Sequence, residues 1–510
     1  MIRVIFELTT EKQNNMFNSH IVTPFLSAAL KYPERNAFCI NEVYFSYAQF
    51  IERIAAIVKI LEDNKEASIG LITNDDLDTY ASIFAIWLTN KMYVPLNPSS
   101  PTERNQNVID QVGINTILDS TQRIEENSID FETSIDMLKS YSLKSEYDNQ
   151  LAYIFFTSGS TGVPKGVTIT KKNVASFIEA FWELGYDIDE TDRCLQMFEL
   201  TFDLSVMSYL CPLLKGACVY TIPKDKVKYA YIFELMDEKE LTITLMVPSI
   251  LNYLRPYFDE IKCPKMKYSL FCGEALNLPI IEEWANCLPN ARIDNVYGPT
   301  ENTIFCTSYS YKRGLVNSSY NGVLSIGKPM LNNIAVVFND ENNPSSINEI
   351  GELCLSGPQL TPGYFNNEEL NEKTFFTTSF NDVETKFYRT GDLCLLKENG
   401  NISYIGRTDS QVKIQGFRIE LSEVEFYSNK AINGRCALVA LAVKNNANNY
   451  EITVVLEAAE FEVNPLKEYL NTMLPSYMLP TQYYFMLPFP LNVNGKIDKK
   501  SIVTKLGLNS

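Results

Sequence analysis

The residues best suited to chemistry in this sequence form a loop that follows an apolar segment. The run Ile154–Phe156 has the composition of a buried strand, and small polar residues and glycines follow it at once. Glycines let backbone N–H groups approach an anion, hydroxyl groups add donors, and a lysine adds positive charge. The loop therefore predicts a polyphosphate site, although a flexible Gly/Ser linker is the plainer alternative. Its candidate residues are Thr157, Ser158, Gly159, Ser160, Thr161, Gly162 and Lys165.

The loop differs from a Walker A motif. Pro164 rather than glycine precedes the lysine, and Gly166 rather than Ser or Thr follows it. The phosphate chemistry that it predicts therefore belongs to another class of nucleotide-binding protein.

A second candidate is an acidic residue inside an apolar segment. Asp203 lies within residues 198–207, which are mostly apolar. A carboxylate in such surroundings is costly unless it pairs with a cation or caps a helix. The sequence leaves two interpretations open: Asp203 caps a helix over residues 204–214, or it binds the ammonium group of a ligand.

Composition excludes several kinds of chemistry. His20 is the only histidine and has no evident partner, which excludes Ser-His-Asp, Cys-His and histidine-metal sites. The 11 cysteines are scattered without a CxxC pair, so neither a disulfide framework nor a zinc site is indicated. The net charge of -18 argues against nucleic acid or an anionic membrane as the main partner. Because no signal peptide or run of about 20 apolar residues is present, the expected compartment is the cytoplasm.

The elements that must position these residues alternate in the manner of an α/β fold. We expect helices over residues 44–61 (capped by Ser46), 78–89, 171–182 and 204–214, and strands over 68–73, 93–96, 241–247 and 268–272. Residues 119–149 are polar and poorly periodic, which predicts a surface connection. Strands that end at Pro248, Gly273 and Gly298 are expected to line one crevice with the phosphate loop, because ligands bind beyond the carboxyl ends of parallel strands.

Six motifs in order resemble the core motifs of the adenylate-forming superfamily, which contains acyl-CoA synthetases, luciferases and nonribosomal peptide synthetase adenylation domains. The resemblance runs from about Thr23 to the C-terminus. The motifs are the phosphate loop, Phe-Asp-Leu-Ser (202–205), Asn-Val-Tyr-Gly-Pro-Thr-Glu (295–301), Tyr-Arg-Thr-Gly-Asp (388–392), Gly-Arg-Thr-Asp-Ser-Gln-Val-Lys (406–413) with Gly-Phe-Arg-Ile-Glu (416–420), and Asn-Gly-Lys-Ile-Asp (494–498).

The resemblance implies a mixed α/β protein of two domains. A large N-terminal domain of layered sheets and helices would span residues 1–408, and a small mobile α+β domain would span residues 409–510, with Asp409 as the hinge. Within the small domain we expect strands over 437–443 and 451–457 and a helix over 465–474. Because no carrier segment follows Lys496, we expect the carrier protein to act in trans, and we expect the enzyme to be a monomer.

The implied reaction is attack of a carboxylate on the α-phosphate of ATP, which gives an acyl-adenylate and pyrophosphate. Thr157, Lys165 and the loop between them would hold the β- and γ-phosphates, and Glu301 would bind Mg²⁺. Asn295 would contact the adenine edge and Tyr297 its face, Gly298 and Thr300 would adjoin the nucleotide, and Asp392 with Arg407 would hold the ribose. Lys496 would contact the substrate carboxylate, whereas without the other motifs it would be an exposed turn lysine.

The resemblance also gives a substrate pocket that favours an amino acid. Asp203 would bind the ammonium group and Lys496 the carboxylate, while the apolar remainder leaves space for a small side chain. The pocket positions are Asp203, Leu204, Met207, Leu245, Leu270, Cys272, Gly273, Val296, Ile304 and Phe305. Within the superfamily the chain looks most like D-alanine:D-alanyl carrier protein ligases, in which the cysteine helps to select the D-enantiomer.

Other substrates and classes stay open. Val296, Ile304 and the sequence Gln415–Phe417 depart from the D-alanine ligases, so an L-amino acid such as proline or valine is the chief competitor. Asp203 disfavours an acyl-CoA or aryl-acid ligase. A nucleotide-binding scaffold without catalysis is the alternative from a different class.

Two half-reactions require two positions of the small domain. After adenylation Lys496 must withdraw so that a carrier thiol can enter, and residues around Asp409 must absorb the rotation. The resemblance implies that Gly416 and Arg418 face the pocket in the second, thioester-forming state.

Overall fold

The computed structural model describes residues 15–122, 129–142, 149–159, 163–409, 411–491 and 497–508. Its strands in chain order are β1 (Asn36–Ile40), β2 (Val43–Ser46), β3 (Ser68–Ile72), β4 (Met92–Leu96), β5 (Thr116–Leu118), β6 (Leu151–Thr157), β7 (Lys165–Thr170), β8 (Arg193–Gln196), β9 (Cys218–Thr221), β10 (Ile243–Met246), β11 (Tyr268–Phe271), β12 (Arg292–Tyr297), β13 (Thr307–Ser310), β14 (Ser319–Tyr320), β15 (Val323–Leu324), β16 (Lys328–Pro329), β17 (Ile334–Phe338), β18 (Ile350–Ser356), β19 (Phe375–Phe380), β20 (Val383–Leu396), β21 (Ile402–Arg407), β22 (Gln411–Ile414), β23 (Phe417–Glu420), β24 (Leu438–Lys444), β25 (Tyr450–Leu456) and β26 (Gln482–Phe485).

The helices surround these strands on several sides. They are α1 (Thr23–Lys31), α2 (Tyr47–Glu62), α3 (Leu77–Leu88), α4 (Thr102–Val112), α5 (Phe131–Ser142), α6 (Lys171–Glu183), α7 (Leu204–Leu213), α8 (Lys228–Glu238), α9 (Ser249–Leu254), α10 (Leu278–Cys287), α11 (Glu368–Thr374), α12 (Leu421–Ala431), α13 (Asn464–Met473) and α14 (Lys499–Lys505). A π-helical turn at Asn18–Val22 precedes α1, and 3₁₀ turns occupy Arg255–Tyr257, Thr300–Asn302 and Ser476–Met478.

Two sheets form the N-terminal part and share one core. The first has nine strands in the order β16-β13-β12-β11-β10-β8-β9-β1-β2, of which β12 to β1 are parallel neighbours. The second has five strands in the order β5-β3-β4-β6-β7, and its β6–β7 pair is antiparallel. Apolar residues of both sheets pack around α7, every residue of which is buried. This packing fixes Asp203 at the start of a helix held in the protein interior.

A third sheet extends the N-terminal part toward the cleft. Its strands are antiparallel in the order β17-β18-β20-β19, and β21 pairs with β20. Strands β14 and β15 form a separate pair. Because β21 ends at Arg407, this sheet brings the chain to Asp409 directly beside Asp392 on β20.

The C-terminal part has its own cores. The hairpin β22–β23 precedes α12, and β24, β25 and β26 form a three-stranded sheet. Apolar residues from 412 onward form two clusters on the faces of this sheet. The mixed α/β architecture with a large N-terminal and a small C-terminal part is thereby confirmed.

Most predicted elements are present, with small shifts at their ends. In the predicted stretch 44–61 the helix begins after its predicted cap, because Ser46 caps α2 in a capping box with Gln49, and residues 43–46 form β2. The prediction of a surface connection over residues 119–149 was wrong in part, because α5 lies within it. Ile135 and Leu138 of α5 are buried in the core shared with α2, so their apolar spacing outweighs the polar composition around them.

In the part of the chain that the structure describes, no helix combines the length and the apolar character that crossing a bilayer requires.

Candidate active site

Four loops of the N-terminal part converge on a small cavity of about 70 Å³. They follow β6, β11 and β12 and precede α7, and residues of the C-terminal part close the cavity. Its lining includes Thr157, Ser158, Phe202, Asp203, Leu204, Cys272, Gly273, Gly298, Pro299, Thr300, Ile304, Asp392, Arg407, Lys413, Gly416, Arg418 and Tyr477. The predicted convergence of strand ends is present, except that Pro248 lines a neighbouring cavity.

Asp203 lies in the cavity wall and is 7% exposed. It precedes α7, but its side chain makes no capping hydrogen bond to the helix. Burial raises the pKa of Asp203 to about 6, against the opposing hydrogen bonds from the Thr300 hydroxyl and the Ile304 N–H. Its Oδ2 is buried and has no hydrogen-bond partner among the described residues. The helix-capping interpretation is therefore not what the side chain does, and a cationic group suits this carboxylate.

Glu301 follows Thr300 in the turn Thr300–Asn302 and is fully buried. One guanidinium nitrogen of Arg418, Nη1, lies 2.9 and 2.8 Å from its two oxygens, and the Tyr364 hydroxyl donates to Oε1 at 2.6 Å. Burial alone would raise the pKa of Glu301, but Arg418 and Lys165 lower it to about 2. Glu301 is therefore ionised throughout the physiological range.

The donors around Glu301 decide whether it suits Mg²⁺. A single ionised carboxylate beside a phosphate loop is a fitting Mg²⁺ ligand, because that ion takes most of its remaining oxygens from phosphate and water. In the arrangement that the structure describes, however, Arg418 contacts both carboxylate oxygens. The carboxylate fits the metal only after Arg418 has moved away.

Lys165 begins β7 and points toward the same charges. Its Nζ lies 3.8 Å from Glu420 and 5.5 Å from the centre of the Tyr364 ring. Burial, together with the nearby charge of Arg418, lowers the pKa of Lys165 to about 8. The lysine therefore carries a positive charge at neutral pH in a nearly closed environment.

Tyr297, Asp392 and Arg407 form a connected polar group. The Tyr297 hydroxyl donates to Asp392 Oδ2 at 2.5 Å, and Arg407 donates to Asp392 Oδ1 at 2.6 Å. The remaining nitrogens of Arg407 bind both oxygens of Asp409, each at 2.8 Å. Lys413 Nζ lies 5.4 Å from the centre of the Tyr297 ring, so a cation covers the face on which we predicted adenine to stack.

Asn295 lies on β12 beside a larger cavity of about 590 Å³, which Tyr297, Val296 and Arg407 also line. Its amide nitrogen donates to the carbonyl groups of Leu324 and Ser325. These bonds fix the orientation of the amide, so that its acceptor oxygen points away from the carbonyl groups of Leu324 and Ser325.

The structure brings only part of the predicted pocket to the first cavity. Asp203, Leu204, Cys272, Gly273 and Ile304 line it. Burial raises the pKa of Cys272 to about 12, so this residue packs as a neutral thiol. The other predicted positions are not on the surface of this cavity and belong to the hydrophobic core, and Val296 among them also lines the larger cavity: Met207, Leu245, Leu270, Val296 and Phe305.

Four predicted residues cannot be assigned a position. Ser160, Thr161 and Gly162 of the phosphate loop, and Lys496, lie outside the described residues.

Several cavity residues come from the C-terminal part and were predicted without a role or not at all. Tyr477 stacks on Phe417 with ring centres 3.9 Å apart, and Phe202 contacts Phe417 edge-on at 4.6 Å.

Glu274 accepts hydrogen bonds from the N–H groups of Ser249 and Gly416. The sequence signal for this contact was the glycine itself, since Gly416 has φ +83 and a Cβ there would lie 2.4 Å from Val247.

A family model described as AMP-binding enzyme matches residues 25–365. The chain therefore belongs to the AMP-binding enzyme family, whose members are adenylate-forming ligases that use ATP and Mg²⁺. Within that family it is similar to amino-acid-activating domains of nonribosomal peptide synthetases.

Tyrocidine synthase 3 of Brevibacillus parabrevis is 30% identical over 518 residues, which cover 97% of this chain and 8% of that protein. Zwittermicin A synthase ZmaJ of Bacillus cereus is 30% identical over 500 residues, 93% of each chain. Among solved structures, the Vibrio cholerae adenylation domain AlmE in complex with glycyl-adenosine-5'-phosphate shares the fold with a TM-score of 0.84 at 23% identity, over 98% of this chain and 100% of that one. The chain spans about a tenth of the length of the large synthases that it matches.

Proposed function

We propose that this enzyme activates a small apolar amino acid, with D-alanine as the first candidate, and transfers it to a carrier protein. The amino acid would react with ATP to give an aminoacyl-adenylate, and the phosphopantetheine thiol of a separate carrier chain would then receive the acyl group. The observation that supports an amino acid is the buried Asp203 carboxylate, whose Oδ2 lacks a partner within the described residues while it lines the cavity. An ammonium group would supply that partner.

The side-chain size follows from the packing around Asp203. Leu204, Cys272 and Ile304 narrow the cavity, and the core residues behind them are closely packed. A large side chain would have to displace this core, so the packing favours a small one.

Residues of the same cleft are proposed to bind the nucleotide. We propose that Thr157, Lys165 and the loop between them hold the β- and γ-phosphates, that Glu301 binds Mg²⁺, and that Asp392 with Arg407 holds the ribose. Mg²⁺ would neutralise phosphate charge when bound. Asn295 and Tyr297 would adjoin the adenine, with Lys413 leaving the Tyr297 face as the base arrives.

We further propose that the boundary between the mobile domains lies at residues 408 and 409. The connected charges of Arg407 and Asp409 support a pivot there, because a rotation at Asp409 would release the guanidinium from one of its two carboxylates. Gly416 and Arg418 already line the cavity, which supports assigning this arrangement to the thioester-forming half-reaction.

Pyrophosphate exchange measures the first half-reaction directly. The screen covers both enantiomers of the standard amino acids, glycine and a set of aryl acids, with ATP and Mg²⁺. We expect D-alanine to give the strongest exchange. Stronger exchange with several L-amino acids would replace D-alanine and leave the reaction class intact, whereas exchange with aryl acids alone would refute an amino acid substrate.

Substitution of Lys496 tests whether this residue acts in the first half-reaction alone. We expect Lys496→Ala to abolish exchange while thioester formation from a supplied aminoacyl-adenylate continues. Equal loss of both activities would contradict this assignment.

Two competing functions have distinct outcomes. A peptide synthetase enzyme for L-proline or L-valine is the first, and the match to peptide synthases favours testing it beside D-alanine. An acyl-CoA ligase is the second, and it would transfer the acyl group to CoA. We propose a cytoplasmic monomer, in keeping with eleven cysteines that are all free thiols.

A further inference from the structure

Two residues beside the first cavity have a backbone conformation that their side chains disfavour. Thr303 and Ile304 follow the turn Thr300–Asn302 and have φ values of +50° and +71°. Both side chains are branched at Cβ, and such residues rarely adopt the left-handed region, because Cβ then crowds the neighbouring backbone. Two consecutive residues of this kind need contacts elsewhere in the protein that hold them in place.

The backbone around this pair is closely packed. A Cβ at Gly298 would lie only 2.3 Å from Phe305 Cα and 3.0 Å from the Ile304 oxygen. The Cys306 N–H then donates to the Tyr297 carbonyl at 2.8 Å. The chain therefore leaves β12, turns and packs back against the end of the same strand.

One buried side-chain amide holds the segment from the other side. Gln359 lies in the loop after β18 and is fully buried. Its Nε2 donates to the carbonyl groups of Asn302, Thr303 and Phe305 at 3.3, 3.1 and 2.9 Å. The Thr303 hydroxyl donates in return to the Gln359 carbonyl at 2.6 Å. Carbonyl groups before and after Ile304 are therefore bound by the same amide.

Other amides fix the position and orientation of Gln359. Asn333 Nδ2 donates to Gln359 Oε1 at 2.6 Å. Because Oε1 can only accept, this bond keeps Nε2 of Gln359 directed at the carbonyl groups of the segment. Asn173 of α6 donates to the carbonyl groups of Pro358 and Leu360 at 2.7 and 3.0 Å, so the backbone on both sides of Gln359 is held as well.

The segment contributes to the amino-acid side of the cavity through Ile304. The Ile304 side chain lines the cavity, and its N–H is one of the groups that lower the pKa of Asp203 against the effect of burial. Glu301 is held by other groups, since the Thr361 N–H donates to its carbonyl at 2.9 Å and its carboxylate has the contacts described above. The amide of Gln359 therefore acts on the amino-acid side.

We propose that Gln359 is a positioning residue for the amino acid. Its amide holds Thr303 and Ile304 in the left-handed conformation, and this conformation places the Ile304 side chain and N–H relative to the Asp203 carboxylate. Gln359 thereby contributes to the choice among amino acids of different size, although its own side chain is inaccessible to a ligand. This inference rests on the function proposed above, because it requires an amino acid at Asp203.

The physical reason is that the strained pair relaxes when its donor is removed. Without the amide, three carbonyl groups lose a hydrogen bond, and the backbone can return to a more favourable region. Relaxation would move the Ile304 N–H away from Asp203 and the Ile304 side chain away from the cavity wall. A small substrate would lose contact with that wall, whereas a larger one would gain space, so selectivity should fall together with affinity.

Pyrophosphate exchange by Gln359→Leu tests the proposal, because leucine fills similar space and has no donor. The probes are D-alanine, or the small amino acid that replaces it in the exchange screen, and leucine of the same enantiomer. We expect KM for the small amino acid to rise about tenfold and its kcat/KM relative to leucine to fall about fivefold, while KM for ATP stays within about twofold. A loss of folded enzyme would lower kcat for both amino acids and leave KM and their ratio unchanged. An unchanged ratio would overturn the proposal.

The matched control is another buried amide that holds a loop. Asn317 Nδ2 donates to the carbonyl groups of Lys312 and Leu315 at 2.9 and 3.1 Å, in the loop between β13 and β14. Asn317→Leu should lower stability and leave KM and the ratio unchanged. A fall in the ratio equal to that of Gln359→Leu would count against a specific role of Gln359.

Hydrogen exchange followed by mass spectrometry tests the contact without any substrate. In Gln359→Leu the amides of residues 302–306 should exchange about tenfold faster than in the parent protein, and in Asn317→Leu they should exchange at the parent rate. Asn333→Asp is the milder variant, because it keeps Gln359 and removes only the donor to Oε1. Parent rates over residues 302–306 in both Gln359→Leu and Asn333→Asp would overturn the proposal.

A second substitution tests whether backbone strain is the cause. Glycine adopts positive φ without strain, so Thr303→Gly added to Gln359→Leu should lower KM for the small amino acid about threefold relative to Gln359→Leu alone. A KM as high as that of the single variant would refute the role of strain.

The exchange screen and the hydrogen-exchange measurement separate the two proposals. A negative screen with faster hydrogen exchange in Gln359→Leu would reject the proposed substrate class and retain the contact of Gln359 with this segment. A positive screen with unchanged selectivity in that variant would reject this inference alone.

Discussion

The two sides of the cleft treat buried charge differently. On the amino-acid side, Asp203 is held in an apolar wall with one carboxylate oxygen lacking a partner among the described residues. On the phosphate side, Glu301, Lys165 and the loop each meet an opposite charge or a hydrogen-bonding group from residues 418–423. One side keeps its acid ready for a cation, and the other has its charges matched by groups of the C-terminal part.

This difference indicates how each side achieves selectivity. A buried acid without a partner rejects ligands that lack a cation, since binding them would leave the carboxylate buried and unpaired. A site whose charges are already matched binds its ligand only by displacing the protein groups that match them, so its affinity depends on domain position. We expect changes on the first side to alter substrate affinity and changes on the second to alter the balance between the two half-reactions.

The largest effect is expected from Asp203→Asn, which removes the charge and keeps the shape. Loss of a buried charge pair with the substrate corresponds to a fall of about 100-fold to 1,000-fold in kcat/KM for the amino acid. Steady-state pyrophosphate exchange measures it, together with ATP affinity, which should stay within about twofold. The control is Asp192→Asn, because Asp192 is also buried but binds Lys267 at 2.9 Å. Its substitution should lower stability and leave KM unchanged.

A tenfold effect is expected from pH on the amino-acid side. Burial raises the pKa of Asp203 to about 6, so the carboxyl group is protonated at pH 5 and ionised at pH 7. Because only the ionised form pairs with an ammonium group, KM for the amino acid should be about tenfold higher at pH 5 than at pH 7. Asp203→Asn should abolish this dependence, and an unchanged pH profile in that variant would assign the effect to another group.

A smaller effect is expected from Arg418→Met on the phosphate side. The change frees Glu301 from its competitor for Mg²⁺, so the Mg²⁺ concentration needed for half-maximal exchange should fall on the order of fivefold. Titration of Mg²⁺ at saturating ATP measures it. Lys430→Met, which removes a cation on α12 that contacts the Phe426 ring, should leave the titration unchanged. A rise in the Mg²⁺ requirement of Arg418→Met would argue against competition.

The smallest effect is expected from Tyr477→Leu, which removes a stacked ring and adds no charge. The pairing of Tyr477 with Phe417 is worth about 0.7 kcal/mol in addition to the burial of apolar area, so thioester formation from a supplied adenylate should slow about threefold. Single-turnover transfer to a carrier thiol measures it. Tyr469→Leu, which changes the C-terminal core away from the cavity, serves as the control.

Sequence reasoning succeeded where a local pattern fixes the answer. The apolar run before the phosphate loop is β6, and Ser46 caps α2. Each of these depends on residues close together in the chain. The family assignment succeeded for another reason, because ordered motifs far apart rarely coincide by chance.

Long-range placement could not be predicted in the same way. The core position of Met207 and Phe305 depends on which neighbours cover them, and α5 depends on contacts of Ile135 and Leu138 with α2. Arg104 carried no signal in the sequence, since an arginine on a polar helix is usually solvated, and its partner Glu423 comes from α12, more than 300 residues further along the chain. The covering of Tyr297 by Lys413 likewise follows from domain position and not from any local pattern.

Arg407 shares a single guanidinium between Asp392 and Asp409. Asp392, which would bind the sugar, and Asp409, at the proposed pivot, therefore accept hydrogen bonds from the same guanidinium group. A sugar hydroxyl that donates to Asp392 would compete with Arg407 for that carboxylate. It would thereby change the strength of the bonds between Arg407 and Asp409. With the roles proposed for Asp392 and Asp409, nucleoside binding and rotation of the C-terminal part would be coupled through one side chain.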